Sequence, residues 1–326
     1  MERLDLKLST HFPKIELTDN CLFLGSCFSE EIGKRFQQNK LNTMINPFGV
    51  LFHPEAIVRL IHRAMNDLFF EASDFFEFQD YWFNYELGSS LARFTKEEAV
   101  NDANNKLLEL KAFLLRCNRL FLTLGSSVER KFRGEVVASC HKQPQTLFKR
   151  SITSSREIVK KLKQCIGLIV KANPKIKVYL TISPVRHVKE SLIDNQISKA
   201  ELLIAAKHLT RLEANIEYLP IYEYVIDCLR DYSFFNDDFV HPNTKAVDKI
   251  WKKIKEGLIT QNLIELICEL EGLNRSLNHK PLFPRSSANK QFLNSILVVI
   301  DKIERKYIVD LSQEKEQVST CLKNLV

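Results

Sequence analysis

The sequence predicts an α/β protein, a three-layer α/β/α fold on a parallel sheet, and three observations carry that prediction. Short runs at 21–24, 120–124, 177–182 and 216–219 are nearly continuous in apolar character, as strands covered on both faces are. Turn residues bound each run, and stretches of helical period lie between them. Strands alternating with helices give a doubly wound sheet of about five strands, with its functional crevice at the strands' carboxyl ends.

The first element sets the pattern. Residues 22–33 read LFLGSCFSEEIG, so an apolar strand runs through Gly25 and Ser26 straight into a charged helix. Glycine lets the backbone turn where a side chain would clash, and the residues behind it stand at a helix N-terminus. Ser26 is thereby delivered to the mouth of the sheet. Helical spacing follows at 54–65, at 96–116 through Leu107, Leu110 and Leu114, at 154–171 and at 198–212. Residues 66–95 break this rhythm with seven phenylalanines, one tryptophan and Asp-rich turns, and read as an insertion carrying a hairpin around YWFNYELG. After a helix at 247–259 the strand signal ends. From Gln261 the chain reads as helix, a loop at NHKPLFPRSSANK, then helix. The expected organisation is an α/β domain over 1–260, with the insertion near 66–95, and a C-terminal helical extension over 261–326.

Composition excludes several classes. With 326 residues, 45% hydrophobic and 27% charged, the chain has the make-up of an ordinary globular protein. No run approaches the roughly 20 apolar residues that cross a bilayer, and MERLD lacks the pattern of a signal peptide, so a cytoplasmic location is expected. Eight cysteines without a C-x-x-C pair argue against a disulfide framework or a zinc site and for reduced, buried thiols. The net charge of +7 comes with helix-face pairs such as Lys160-Lys161 and Lys252-Lys253, which are solvated faces rather than a nucleic-acid footprint.

Chemistry gathers at two places far apart in the chain. Ser26 ends the first strand, and NDDFVHPNTK downstream carries Asp238 and His241 in D-x-x-H spacing just before a helix start. In a serine hydrolase a histidine takes the serine proton while a carboxylate fixes its tautomer, and a carboxylate three residues ahead of the base holds such a pair compactly. The same segment also reads as a capped loop and nothing more. The α/β-hydrolase elbow G-x-S-x-G is excluded, because Leu24 and Phe28 occupy its glycine positions. Serine early on strand one with D-x-x-H late is the order of parts found in SGNH (GDSL-like) hydrolases.

GSCFSEEIG further resembles the signature of the GSCFA family, a branch of SGNH-like proteins. NPFGVLFHP (46–54), LTLGS (122–126), VVASCHKQP (136–144), SPVRH (183–187), DNQISKAELL (194–203) and the block ending in FFNDDFVHP (234–242) agree with it. The resemblance spans about 14–255. Departures are Ser29 for an alanine, Ser126-Ser127-Val128 where the family has Thr-Ala-Trp, and Ser139 for an asparagine, which bear on the pocket's shape. It implies Ser26 as nucleophile, His241 as base and then acid, and Asp238 as orienter, with no cofactor or metal.

An oxyanion hole needs N–H donors aimed at the developing alkoxide. The backbone of Ser26, of Gly49 or of Gly125 and Ser126 is a candidate source, and Asn46 offers its side-chain amide; Asn46 and Gly49 serve equally to shape the NPFG turn. Arg186 and His187 follow a strand and border the crevice, or else form a satisfied loop pair. His141 lines the pocket or is structural, and Cys27 reads as packing beneath the turn rather than as a thiol nucleophile. The resulting expectation is a serine-dependent ester hydrolase working through an acyl-enzyme on a small-molecule or carbohydrate ester, such as an acetylated polyol. An acyltransferase with the same intermediate and a non-catalytic binding module are the rivals.

Overall fold

The computed structural model describes residues 5–189 and 191–323. Met1–Leu4 of the N-terminal reading and residues 324–326 of the helical extension lie outside the described residues. In chain order, β1 (Asn20–Gly25), α1 (Cys27–Gln38), β2 (Asn42–Ile45) and α2 (Pro54–Met65) open the fold. The short hairpin β3 (Phe76–Phe78) and β4 (Tyr81–Phe83) precedes α3 (Lys96–Arg116) and β5 (Arg119–Leu124). Three small strands follow, β6 (Val128–Phe132), β7 (Glu135–Val136) and β8 (Lys149–Ile152), then α4 (Ser155–Ala172), β9 (Lys177–Ile182), α5 (Leu192–Leu212) and β10 (Ile216–Tyr218). The last part is helical: α6 (Ile221–Glu223), α7 (Thr244–Leu258), α8 (Gln261–Leu277), α9 (Ser287–Tyr307) and α10 (Ser312–Lys323).

The central sheet has five strands in the order β10-β9-β5-β1-β2, all parallel. Alternation along the strands divides the core into two layers. Leu22, Leu24, Leu120, Leu122, Val178 and Leu180 point into the layer formed by α2, α3, α4 and α5. Cys21, Phe23, Phe121 and Tyr179 point the other way, toward α1 and α7. On that face Phe23, Phe121 and Tyr179 lie in register on adjacent strands. Their rings stack at centroid distances of 4.4 and 4.9 Å, with Phe36 meeting Phe23 edge-on at 5.0 Å and Trp251 at 5.3 Å. Offset and edge-on pairs of this kind add about 1 kcal/mol each to the area they bury. The apolar residues of the last helices, among them Leu266, Ile267, Ile300 and Leu311, continue the same cluster.

Several elements differ from the sequence reading for identifiable reasons. The fifth strand, Asn42–Ile45, is a polar edge strand without the continuous apolar run of its neighbours. Helix α5 begins at Leu192, six residues ahead of 198, because the Ser191 hydroxyl caps Asp194 N–H at 3.0 Å. Helix α7 starts at Thr244 under the Asn243 cap rather than at 247. Among its described residues the tail holds three helices rather than two, since Ile308 takes the left-handed conformation (φ 55°) that ends α9. The antiparallel sheet β7-β6-β8 was not foreseen; VERKF and KRSI are too polar to read as strands. The insertion does carry a hairpin, but it pairs FEF (76–78) with YWF (81–83), so it lies ahead of NYELG rather than around it. Among the described residues no cysteine pairs into a disulfide; only Cys21, Cys117 and Cys165 are buried, and Cys268 and Cys321 are exposed.

Candidate functional site

Gly25 ends β1 with φ 132°, and a Cβ there would overlap the Thr123 carbonyl of the neighbouring strand. This close approach lets Ser26 N–H donate to the Thr123 carbonyl at 3.1 Å and puts Ser26 at the N-cap of α1. A serine at that position ordinarily caps an N–H of the first turn with its hydroxyl, a bond worth about 1 kcal/mol. Ser26 does not: its Oγ is fully buried and has no hydrogen-bond partner among the described residues.

Asn46 sits beside it for a local reason. The turn after β2 puts Asn46 in the left-handed region (φ 38°), which asparagine tolerates, and Gly49 follows at φ 78°. Asn46 Oδ1 accepts the Gly25 N–H at 2.8 Å. Its Nδ2 is buried and, like Ser26 Oγ, unpartnered. Two polar groups, a hydroxyl and an amide N–H₂, thus lie unused near the end of β1, where burial without a bond costs on the order of 1–3 kcal/mol each.

The other expected oxyanion donors are committed elsewhere. Ser26 N–H is bound to Thr123, Gly49 N–H donates to the Asn46 carbonyl at 2.8 Å, and Gly125 and Ser126 N–H both donate to the Phe52 carbonyl at 2.9 and 3.0 Å. Sequence position placed these amides at the crevice but could not reveal the loop carbonyls that occupy them. Ser126 is tied further into the fold, its Oγ accepting Val128 N–H at 3.0 Å and contacting Ser198 Oγ at 3.1 Å.

Asp238 and His241 form a tight pair. Asp238 Oδ2 lies 2.7 Å from His241 Nδ1, and Oδ1 accepts the backbone N–H of Val240 and His241 at 2.8 and 3.0 Å. The bond from His241 N–H foremost, then that from its ring, holds the Asp238 carboxyl down at about 2. Both side chains are nearly half exposed, and His241 Nε2 makes no hydrogen bond among the described residues. The segment carrying them is pinned at each end by Asn243, which caps α7 and donates to the Ser233 and Phe235 carbonyls.

Arg186 belongs to this segment. Its guanidinium lies over the Phe235 ring at 4.7 Å, reaches the Phe239 carbonyl at 3.4 Å, and its backbone N–H donates to Val240. His187 packs edge-on against Phe52 at 5.0 Å, and its backbone N–H is taken by Asn195. His141 is buried with both ring nitrogens engaged: Nε2 donates to the Asn84 carbonyl at 2.9 Å, so Nδ1 accepts from Ser89 Oγ, also at 2.9 Å. Burial pushes its pKa down, and this is a structural histidine of the aromatic insertion.

A cleft of about 280 Å³ opens between α1 and the D-x-x-H segment, lined by Cys27, Phe28, Glu31, Val185, Asn236 and His241 among others. Cys27 borders it; Ser26 does not, and no hydrogen bond joins Ser26 to His241. A larger groove of about 1140 Å³ between α2 and α4 contains none of the candidate residues, and its cations Arg59, Arg63 and Lys161 are already paired with Glu135, Glu86 and Glu55. Among the described residues no three His, Cys, Asp or Glu side chains gather as a metal set, and no helix is long and apolar enough to cross a membrane.

The sequence reading missed Lys199. On α5 the buried stripe Leu202, Ala205, Ala206 and Leu209 extends back one turn at a time to Asn195, Ser198 and Lys199, which are polar and equally buried. Polar residues at core positions of a helical period were the available signal.

No curated protein matches the chain. A solved chain from Streptococcus pneumonia, provisionally described as a platelet activating factor, is similar over 73% of this chain and 83% of its own length, at 13% identity and a TM-score of 0.37. Residues 270–324 match the C-terminal domain of GSCFA domain proteins. Residues 20–254, most of the chain and all of the site described above, match the GSCFA family, and the protein belongs to that family.

Proposed function

We propose that this protein is a serine-dependent acyl hydrolase of the SGNH type, with an acyl-enzyme on Ser26. The observation that carries the reading is the pair of buried, unpartnered groups at the end of β1: a hydroxyl that declines its helix cap, and the amide N–H₂ of Asn46, whose Oδ1 holds the N–H of the preceding residue, Gly25. In this reading the D-x-x-H segment closes over the strand end so that His241 Nε2 takes the Ser26 proton, catalytic hydrogen bonds being often long before substrate binds. Ser26 Oγ adds to the ester carbonyl, and Asn46 Nδ2 donates to the resulting oxyanion. His241 returns the proton to the leaving alcohol, and water repeats the sequence to release the acid. Asp238 keeps Nδ1 protonated and Nε2 available as base.

The substrate is proposed, on family likeness alone, to be an acyl ester of a carbohydrate or similar polyol. Transfer of the same acyl group to an alcohol differs only in what reaches the acyl-enzyme, and mass spectrometry with sugar acceptors separates the two.

A second reading has its own support. Cys27, not Ser26, lines the cleft with His241, so a thiol nucleophile fits the visible opening. Burial pushes the Cys27 thiol up, which opposes this reading.

Fluorophosphonate labelling with peptide mass spectrometry tests both, in wild type, Ser26→Ala, Cys27→Ala and His241→Ala. An adduct on Ser26, lost in the Ser26 and His241 variants and kept in Cys27→Ala, supports the serine reading. Acylation lost only with Cys27 supports the thiol. A folded wild type inert to acyl donors and probe makes the fold a binding module.

A further inference from the structure

Several arginines of the fold are matched to a carboxylate; Arg93 and Arg119, for example, reach Asp102 and Asp19 at 2.5 and 2.8 Å. Arg186 is matched to none among the described residues. A guanidinium carries five N–H donors in a rigid fork, and here Nη1 alone finds an acceptor, the Phe239 carbonyl at a long 3.4 Å. Its Nε and Nη2 are left open. The side chain is nonetheless half-buried and held in place, with the Phe235 ring at 4.7 Å, the Tyr232 ring at 5.6 Å and its own backbone N–H on the Val240 carbonyl at 3.3 Å.

This open cation stands at the base of the candidate site. Phe239 and Val240, the two residues it grips, are those between Asp238 and His241. Val185, the residue before it, lines the cleft together with His241. Asp238 cannot serve as its counter-ion, being spent on the His241 ring and two backbone N–H groups. Around it the Tyr232 and Phe239 rings, 60% and 57% exposed, meet edge-on at 5.5 Å. Phe239 also takes the left-handed conformation (φ 54°), a strained choice for an aromatic residue. Rings beside a guanidinium lower the local dielectric, so an anion is held there more strongly than at an open surface.

We propose that Arg186 is a specificity residue of this site: its open N–H fork binds an anionic group of the substrate, carboxylate or phosphate, beside His241. The substrate class is then an acyl ester of an acidic molecule, such as a uronate or a sugar phosphate, rather than of a neutral polyol. Either anion offers the fork two oxygens for a bidentate pair. The assignment to an ester rests on the acyl-hydrolase reading. The anion site itself rests on the surroundings of Arg186 alone.

The test maps phenylglyoxal modification of arginines in the full-length wild-type protein by peptide mass spectrometry. Glucose, glucuronate or glucose 6-phosphate is present at equal ionic strength. At about 5 mM, glucuronate or the sugar phosphate should slow modification of Arg186 about fivefold, the shielding that a millimolar site gives, and glucose should not. Which of the two anions shields identifies the group the fork takes. Arg116, exposed at the end of α3 and beside the amino end of β1, is the control. Carbethoxylation of His241 by diethyl pyrocarbonate is followed with the same ligands. Protection of His241 that is lost in Arg186→Gln and partly kept in Arg186→Lys supports the proposal; a His241 left equally reactive by every ligand overturns it. Equal shielding by glucose, equal shielding of Arg116, no shielding at all, or an Arg186 that the reagent never reaches also overturns it. If neither variant folds, the wild-type shielding patterns decide. Fluorophosphonate labelling of Ser26 is run in parallel. A protein shielded at Arg186 but inert at Ser26 sinks the hydrolase reading alone, and one labelled at Ser26 with Arg186 unshielded sinks this proposal alone.

Discussion

Asn46 accepts the Gly25 N–H through Oδ1 at 2.8 Å, and this single bond decides which end of its amide is left for chemistry. Were the amide reversed, Nδ2 would face an N–H and the bond would be lost. The residue beyond Gly25 is Ser26, so the free Nδ2 and the free hydroxyl belong to one short stretch of structure.

That relationship makes Asn46→Gly informative, since glycine keeps the left-handed backbone at φ 38° while removing the amide. Loss of one oxyanion donor lowers turnover by about 10²- to 10³-fold. Fluorophosphonate labelling rates on the folded variant should fall accordingly, and a near-normal rate would show that Asn46 only shapes its turn.

Gly25→Ala should be far more damaging to the fold than an ordinary surface change. The new Cβ meets the Thr123 carbonyl at a positive φ, so either β1 or β5 must shift. A loss above about 3 kcal/mol is expected from combined strain and lost pairing. Thermal unfolding of the variant, if it can be purified folded, within a degree or two of wild type would contradict this.

Asp238→Asn leaves the exposed segment in place but removes the acceptor that fixes His241 Nδ1 as donor. Turnover should drop by several orders of magnitude, by analogy with the triad of serine proteases. Because the Asp238 carboxyl titrates only at about 2, it stays charged through the working range. Its contribution to the pair is present above the unfolded value and fades as pH falls toward 2. Any acid limb above about pH 4 therefore belongs to another group, and a limb that moves with substitution of Asp238 alone would refute the assignment.

His53 predicts how the fold responds to acid. It is 5% exposed, its Nδ1 accepts Glu55 N–H to cap α2 and its Nε2 lies 3.0 Å from Thr153 Oγ1. Burial, foremost, lowers its pKa to about 4. The folded state thus refuses a proton that the unfolded chain takes up below about 6.5, so stability falls as pH drops from 6.5 to 4. The full shift corresponds to about 3 kcal/mol. Melting temperature followed from pH 7 to 4 should decline, and His53→Asn, which can still cap α2, should decline less; parallel curves would exclude His53 as the cause.

Much of this architecture is legible before any coordinates. Runs such as LFLTL announce strands because both faces are covered, and α2 and α3 fall where their apolar period places them. D-x-x-H spacing anticipates a pairing that turns out at 2.7 Å. What stayed hidden depends on partners distant in sequence. No local pattern shows that the Phe52 carbonyl takes the Gly125 and Ser126 amides, or that Lys199 reaches across to two strand ends. Asn42–Ile45 is a strand only because β1 lies beside it, and VERKF only because KRSI pairs with it.

The stacked rings of Phe23, Phe121 and Tyr179 are laid down in the first part of the chain, yet Trp251 and the apolar faces of α8, α9 and α10 that complete their layer come last. During synthesis the growing chain therefore carries an incompletely covered aromatic surface until α7 to α10 leave the ribosome. Contacts between such distant segments close slowly, and surface left open in the interval invites aggregation. A chain interrupted before α7 would expose the aromatic side of its own sheet, so chaperone demand and quality control should fall most heavily while residues 244–323 are being made.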